Sequence, residues 1–422
     1  MRSKTSDDTL RLREQVESLT REIPLVDLAF PTPGGTPHPM SGISTYRPVP
    51  TPSSRSTRKP FLDDELEALV AVATHAPSGD NTQPWRFLVD RARGMVSISV
   101  DPRRDLSPMN AGQRMARIAC GAALENLVQA ARSRGIAAEI ECSDTGDIMV
   151  RLRRDALYDA PVTTTQALRV TNRRCYDARR LSVEQLVTLA AATAPANGVT
   201  THWIGDRARL PALADVIGRA DAMMFSQPAM RNAFFDQVRF DQPREQALSE
   251  GMPLGSLEVT VWQARGMRLM RVLPQAFFMA TGGAGVFARQ ARGLVRSASG
   301  LCVVASVGKG PAADIAVGRA MQRAWLALTR LGACAQPMMS LTVIANLLEH
   351  GSPMAVVDLG LERSQTLLTG FKVLLPELTG ERPAFILRFG FASAPTGRTG
   401  RRPLHEVIHE ATSTGEKQVG EA

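Results

Sequence analysis

Between residues 76 and 87 the chain reads Ala76-Pro77-Ser78-Gly79-Asp80-Asn81-Thr82-Gln83-Pro84-Trp85-Arg86-Phe87. Ser78, Asn81 and Gln83 bring a hydroxyl and two amides into one short turn, so hydrogen bonds leave it in different directions. Pro77, Ser78 and Gly79 carry no bulky side chain, and the backbone there can approach a flat partner closely. That chemistry suits a heteroaromatic ring with several polar edges.

The flanking pattern says what must hold the turn. Leu62, Leu66, Leu69, Val70 and Ala73 recur at helical spacing before it. Phe87, Val89, Val96, Ile98 and Val100 alternate after it. A helix over 62–75 therefore runs into a Pro-Ser-Gly turn, and strands follow at 86–90 and 95–100. A long helix is expected over 111–134, on the spacing of Met115, Ile118, Ala119, Ala122, Leu127, Val128 and Ala131, with Gly135 as its stop. Ala119, Gly121, Ala122 and Ala123 would let a second helix pack very closely on it. Strands at 136–142 and 147–153 close this unit.

A second unit repeats parts of the first. Residues 168–192 echo 54–75, each a basic Ser/Thr turn, a short extended piece, an acidic helix start and an apolar helix. Gly318–Gly332 echoes the helix that ends at Gly135, and 299–308 and 383–390 read as buried strands. These correspondences predict an internal duplication at a long period. Between them, 206–295 is helical and rich in Met and Phe (Met223, Met224, Phe225, Phe234, Phe235, Met267, Met270, Phe277, Phe278). Such residues are expected in the core of helices that cover the site, or in a flexible apolar lid.

The turn at 76–87 resembles the flavin-contacting signature of the nitroreductase superfamily, Pro-Ser-x-x-Asn-x-Gln-Pro-Trp. The resemblance extends over about 55–410 and is similar to the Acg-type FMN-binding branch and to nitroreductase portions joined to ThiF/E1-like domains. It implies an α+β nitroreductase-like fold, here as two nitroreductase-like halves in one chain forming a pseudo-dimer. The expected division is an arm and Pro-rich linker at 1–54, a first half at 55–160, a second half at 161–410 with an insertion at about 206–295, and a tail at 411–422.

What the resemblance implies about the cofactor can be set on particular residues. Pro77, Ser78, Gly79, Asn81 and Gln83 would cradle the ring of FMN. Its phosphate would lie on a basic turn, for which Arg55-Ser56-Thr57-Arg58 matches in part, and Arg169, Thr171, Arg173 and Arg174 match the whole pattern with Thr for Ser. Arg401 and Arg402 supply the second basic element, and guanidinium pairs suit phosphate because they bind it through parallel charge-assisted hydrogen bonds. With the ring turn in the first half and the better arginines in the second, one intact site is expected and its counterpart is expected to be empty. NAD(P)H would be the electron donor and an aromatic nitro compound or quinone the acceptor, with no side-chain acid or base assigned. The segment Leu331–Pro337 stands where the family places a backbone facing the ring, and it lacks the Pro-Glu-Gly triplet of catalytic members. The alternative is an FMN-sequestering or storage protein whose insertion and arm cover the flavin.

Composition narrows the remaining choices. The formal charge of +9 comes almost wholly from arginine, with lysines at 4, 59, 309, 372 and 417 alone. The arginines are spread along the chain and three tyrosines offer little stacking, so a small anionic ligand is expected rather than nucleic acid. No apolar run is long enough to span a membrane and residues 1–15 lack an apolar signal core, so a cytoplasmic location follows. The five cysteines, 120, 142, 175, 302 and 334, form no C-x-x-C pair and read as reduced, mostly buried thiols. His405-Glu406-Val407-Ile408-His409 satisfies H-E-x-x-H, yet no third ligand follows it, and it is expected on an exposed terminal helix. Gly283–Ala288 imitates a dinucleotide fingerprint without a β-α-β context or a ribose-binding acid. No metal site is expected. The chain would work as a monomeric pseudo-dimer or pair again as a homodimer.

Overall fold

The computed structural model describes residues 61, 63–154, 165–240 and 249–410. The N-terminal arm and Pro-rich linker, the Arg55–Arg58 turn and the C-terminal tail lie outside them. The described residues contain helix α1 (Asp63–Ala73), strands β1 (Trp85–Asp90) and β2 (Met95–Val100), and helix α2 (Arg114–Arg132). Then come β3 (Ile136–Cys142), β4 (Ile148–Arg154), α3 (Val183–Ala192) and β5 (Val199–Ile204). The insertion supplies α4 (Leu210–Phe225), α5 (Pro228–Gln237), α6 (Val261–Val272), α7 (Gln275–Ala280) and α8 (Gly283–Ser297). The chain continues through β6 (Gly300–Ser306), α9 (Pro311–Arg330), β7 (Cys334–Pro337), α10 (Ser340–Glu349), α11 (Leu361–Leu374), β8 (Arg382–Gly390) and β9 (Ile408–Glu410).

Two sheets of like topology organise these elements. The first has the order β9-β1-β2-β4-β3, and the second β5-β6-β8-β7. With β9 set aside, each runs first-second-fourth-third with antiparallel neighbours throughout, and each has its long helix between the second and third strands. The mixed α+β fold is thus built from two halves, as the sequence echoes imply. The long helices α2 and α9 pack side by side in parallel, with Arg117 on Asp314 near their starts, Asn126 bonded to Gln322 midway and Gln129 bonded to Arg330 near their ends.

Local chemistry explains the boundaries. Gly135 and Gly332 follow α2 and α9 with φ of +65° and +69°, the left-handed stop that glycine adopts without steric cost. The N-terminus of α2 falls at Arg114 rather than 111, because Gly112 and Gln113 take φ of +62° and +59° and cannot continue a right-handed helix. A capping box at Ser182 and Gln185 starts α3.

One core joins the halves: Trp85, Phe87, Ile98, Ile118 and Leu127 cluster with Ile315, Trp325, Phe385, Leu387 and Phe389. A second core fills the outer face of the second sheet, where Leu301, Val303 and Ile386 meet Leu213, Ile217, Leu341, Leu347 and Phe371. Strand β6, covered on both faces, is consequently buried along its whole length. A third, smaller core holds Phe235, Val238, Phe240, Met252, Leu257 and Met267 of the insertion.

Strand β9 is the feature that positions the site. After β8 the chain leaves the second sheet and returns to the first, where Phe87 pairs with Ile408 in a parallel register. The H-E-x-x-H segment is therefore not a terminal helix beyond the last strand. Leu404–Val407 is one helical turn and Ile408–Glu410 is itself the last strand, so His405 and His409 do not share a helical face. Among the described residues no group of acidic, histidine and cysteine side chains is arranged to hold a metal. All five cysteines are free, and Cys142 and Cys175 stand exposed rather than buried. No helix among the described residues is long and apolar enough to cross a membrane.

Candidate functional site

The turn between α1 and β1 is strained. Asp80, Asn81 and Gln83 hold φ of +45°, +62° and +50°, a region non-glycine residues enter at a cost. Its hydrogen bonds compensate for that strain. Gln83 N–H donates to Ser78 Oγ at 3.0 Å, closing the turn, and Gln83 Oε1 accepts from the backbone N–H of Arg402 at 2.9 Å. Gln83 Nε2 donates to the Ser249 carbonyl, and Asn81 Nδ2 approaches the same oxygen at 3.5 Å. Gln83 is fully buried and saturated. It is a brace between the turn, the C-terminal segment and the insertion, rather than a free edge.

The arginines separate into three groups. Arg401 donates to the carbonyls of Thr74, His75 and Ala76, which follow α1, and to Asn81 Oδ1 at 3.2 Å. It ties the chain leaving α1 to the 76–87 turn. Arg398, absent from the sequence reading, donates to the carbonyls of Ala167, Leu168 and Arg169. Arg169 is 6% exposed, lies 4.5 Å above the Trp325 ring and donates from Nη2 to the His75 carbonyl at 3.1 Å. Its Nε and Nη1 are buried with no hydrogen-bond partner.

Arg169, Arg398 and Arg401 thus converge beside His75, and no carboxylate pairs with any of them among the described residues. Burial, then the neighbouring charges of Arg401 and Arg398, hold the Arg169 guanidinium well below its usual range. Burial and then Arg398 lower Arg401 to about 10. Burial, followed by all three arginines, depresses the His75 imidazole. A cationic cluster that reaches from the exposed Arg398 to the buried Arg169, without a counter-ion and with two unpartnered N–H donors on Arg169, is suited to take an anion. The phosphate of a flavin mononucleotide fits this donor set.

The second group serves the insertion. Arg173 donates to the Ser256 carbonyl at 2.8 Å, and Arg174 pairs with Glu258 at 3.0 Å and reaches Thr396 Oγ1 at 2.8 Å. Arg402 forms the third group, turning from Arg401 toward Glu406 at 3.0 Å and Glu250 at 3.5 Å. The pair expected at 401–402 is therefore split between two environments. Thr171 bridges Ala335 in parallel, and Asn172 N–H donates to the Ala335 carbonyl at 3.1 Å, so the Leu331–Pro337 segment is tied to the arginine turn through β7.

Two carboxyls complete the turn. Burial, reinforced by Asp105 and opposed by Arg173, raises Asp80 to about 6. Burial also raises Asp105, held back by the Ser107 backbone N–H at 3.3 Å. Neither these acids nor His75 and Arg398 stood out in the sequence, although Arg398 lies three residues before Arg401 in an arginine-rich stretch. By contrast the corresponding connection of the second half, between α3 and β5, is Thr193-Ala194-Pro195-Ala196-Asn197-Gly198, which keeps an Asn but lacks the Ser and Gln of the first.

Comparison with known proteins places these observations. Residues 57–218, which include both the 76–87 turn and the 169–174 arginines, match the model of the Nitroreductase family. An uncharacterized protein of Mycobacterium tuberculosis, MT1398, is 24% identical over 351 residues. That match covers 81% of this chain and 48% of the relative, so the chain spans about half the length of the curated protein it matches. An FMN-bound nitroreductase from Bacteroides fragilis is 13% identical, with a TM-score of 0.26 over 61% of this chain and 96% of that one. NfnB from Mycobacterium smegmatis, solved with NADPH, is 15% identical, with a TM-score of 0.30 over 57% and 93%. The strained turn and Arg169, with its two unpartnered donors, both fall within the region from 57 to 218 that matches the Nitroreductase family model.

Proposed function

We propose that the chain is an FMN-dependent oxidoreductase that takes electrons from NAD(P)H and passes them to an aromatic nitro compound or quinone. The observation that carries this reading is the buried Arg169, with two unpartnered donors, gathered with the half-buried Arg401 and the exposed Arg398 beside the Pro77–Gln83 turn, where no carboxylate pairs with them among the described residues. Arg169 would bind the phosphate with its two orphaned donors, while Arg401 orients Asn81 and Ser78 fixes the turn. When bound, the flavin supplies hydride acceptance and electron transfer. The protein contributes charge, position and exclusion of water, and the two halves in one chain replace the two subunits that share a flavin in nitroreductase dimers. The division near residue 160, a soluble cytoplasmic setting and a monomeric pseudo-dimer belong to this proposal.

A second reading has its own support. The Ser249 carbonyl sits on Gln83 and Asn81, and Glu250 reaches Arg402 and Arg104, so the insertion lies on the turn itself. A flavin held beneath that segment would be sequestered from nicotinamide. Anaerobic titration of the FMN-reconstituted protein with NADPH and NADH separates the two. Bleaching within the mixing time of the assay supports the reductase. A flavin that stays oxidised with nicotinamide and bleaches with dithionite supports sequestration, and failure to retain flavin sinks both.

A further inference from the structure

A cavity of about 260 Å³ lies at the N-terminal ends of the two central helices, lined by Arg114, Arg117, Lys309, Asp314, Glu349 and Arg382 among others. It shares no residue with the turn and arginine cluster described above. Arg114, the first residue of α2, is 2% exposed. Its Nε faces Asp314 Oδ1 at 3.2 Å, but Nη1 and Nη2 are buried without a hydrogen-bond partner. Arg382 Nε, also at the cavity, is likewise buried and unpartnered.

Charge in the cavity does not balance. Four cations face two carboxylates, and each carboxylate is already shared. Asp314 takes Arg117 at 2.8 Å as well as Arg114, while Glu349 takes Arg382 and, at 3.7 Å, Lys309. Two positive charges are left over. α9 is a helix of 20 residues that begins at Gly310 and Pro311 on the cavity wall, and α2 begins at Arg114. The positive ends of both helix dipoles therefore add to the excess. The volume is below the roughly 300–1,000 Å³ of sites for whole drug-sized ligands, so it suits a headgroup more than an entire nucleotide.

We propose that this cavity is a second anion site, which takes a phosphate-bearing dianion between the two halves and is distinct from the cofactor site. Arg114 comes from the first half, and Lys309 and Arg382 from the second, so the bound dianion clamps the paired helix starts. Lys309 is 70% exposed at its side chain and stands at the mouth, free to swing onto the ligand.

The test is calorimetric titration of the full chain with inorganic phosphate and with pyrophosphate, using the Arg169→Met variant to silence the cofactor cluster. One equivalent should bind to that variant and raise its melting temperature. Adding Lys309→Ala should weaken binding about tenfold or more, the loss expected for a charge-assisted hydrogen bond, and adding Arg114→Met should abolish it. Lys309→Ala touches an exposed side chain and keeps the test valid if Arg114→Met does not fold. Phosphate binding that disappears with Arg169→Met alone, or that ignores both Lys309→Ala and Arg114→Met, overturns the proposal. Preference for pyrophosphate over phosphate would assign the site to a diphosphate headgroup, and the reverse to a monoester, each outcome upholding the site.

Discussion

Gly121 and Gly318 occupy equivalent places on the two central helices, and each is held against the other's helix. A Cβ built on Gly121 would stand 2.2 Å from the Ile315 carbonyl oxygen, and one on Gly318 would stand 2.0 Å from that of Ile118. Each obstructing carbonyl lies three residues before the partner glycine, so the contact is reciprocal about a pseudo-twofold axis. The duplication is thus written into the packing as well as the strand order. Ala should cost about 1–3 kcal/mol at either position, through overpacking against backbone that cannot rotate away. Because one separation of the helices relieves both clashes, the double variant should lose less than the sum. Gly293→Ala on α8 is the control. Nothing lies within 4 Å of its Cβ, and it should gain up to about 1 kcal/mol of helix propensity. Urea denaturation of the four variants decides this.

Arg169 and Arg401 are neighbours with opposite expected responses. Arg169 leaves two buried donors unsatisfied, so Arg169→Met should be neutral or stabilising without flavin and should weaken FMN about 10- to 100-fold. Arg401 satisfies the three carbonyls that follow α1, so Arg401→Met should destabilise the protein by about 3 kcal/mol or more even without flavin. Thermal melts with and without FMN, together with flavin fluorescence titration, separate the roles. Equal loss of stability in both apo variants would show that Arg169 is also only structural.

Most of the architecture was legible because apolar spacing dictates it. The helix before the turn, both long helices with their glycine stops, and the paired echoes that became two like sheets all follow from periodicity. The 76–87 turn was legible because its residue types are rare together. What was not legible depends on contacts far apart in sequence. Gln83 reads as a ring contact, yet its amide is consumed by Arg402 and Ser249, more than 160 residues away. Arg401 and Arg402 read as a pair, yet the irregular segment that leads back to β9 gives Arg401 to the carbonyls after α1 and Arg402 to Glu406 and Glu250. The H-E-x-x-H histidines read as one helical face, and only the pairing of Phe87 with Ile408 shows that the helix has ended there.

Asp80 should make stability fall as pH rises through the weakly acidic range. Its folded-state value is raised to about 6 from 3.8 by burial and by Asp105. The folded protein therefore holds a proton that the unfolded chain releases, and the stabilisation present below about pH 4 is lost as pH climbs to about 6. The full shift corresponds to about 3 kcal/mol. His75, depressed by burial and three arginines, acts in the opposite sense and removes stability as pH falls below the ordinary histidine range. Asp80→Asn isolates the first effect. The difference in unfolding free energy between wild type and variant should vary between pH 4 and 6.5 and be flat above it. A difference that is flat throughout would mean that Asp80 is solvated and ordinary.

Glu250 holds the insertion on the turn through Arg402 and Arg104, and it does so from the surface. At 38% exposure its side chain contributes little to overall stability, since ion pairs so open to solvent are worth about 0–1 kcal/mol. Its loss should nevertheless free the segment at Ser249, whose carbonyl is held by Gln83 and Asn81, because two of the cross-links that pin that segment end on this one carboxylate. Glu250→Ala should leave the melting temperature nearly unchanged, speed flavin exchange several-fold, and raise the rate at which NADPH bleaches bound FMN. Stopped-flow mixing measures both rates. If the segment is a cover that excludes nicotinamide, the bleaching rate rises from near zero in wild type. If wild type is already an open reductase, the variant leaves that rate where it was, and the insertion positions the turn without gating it.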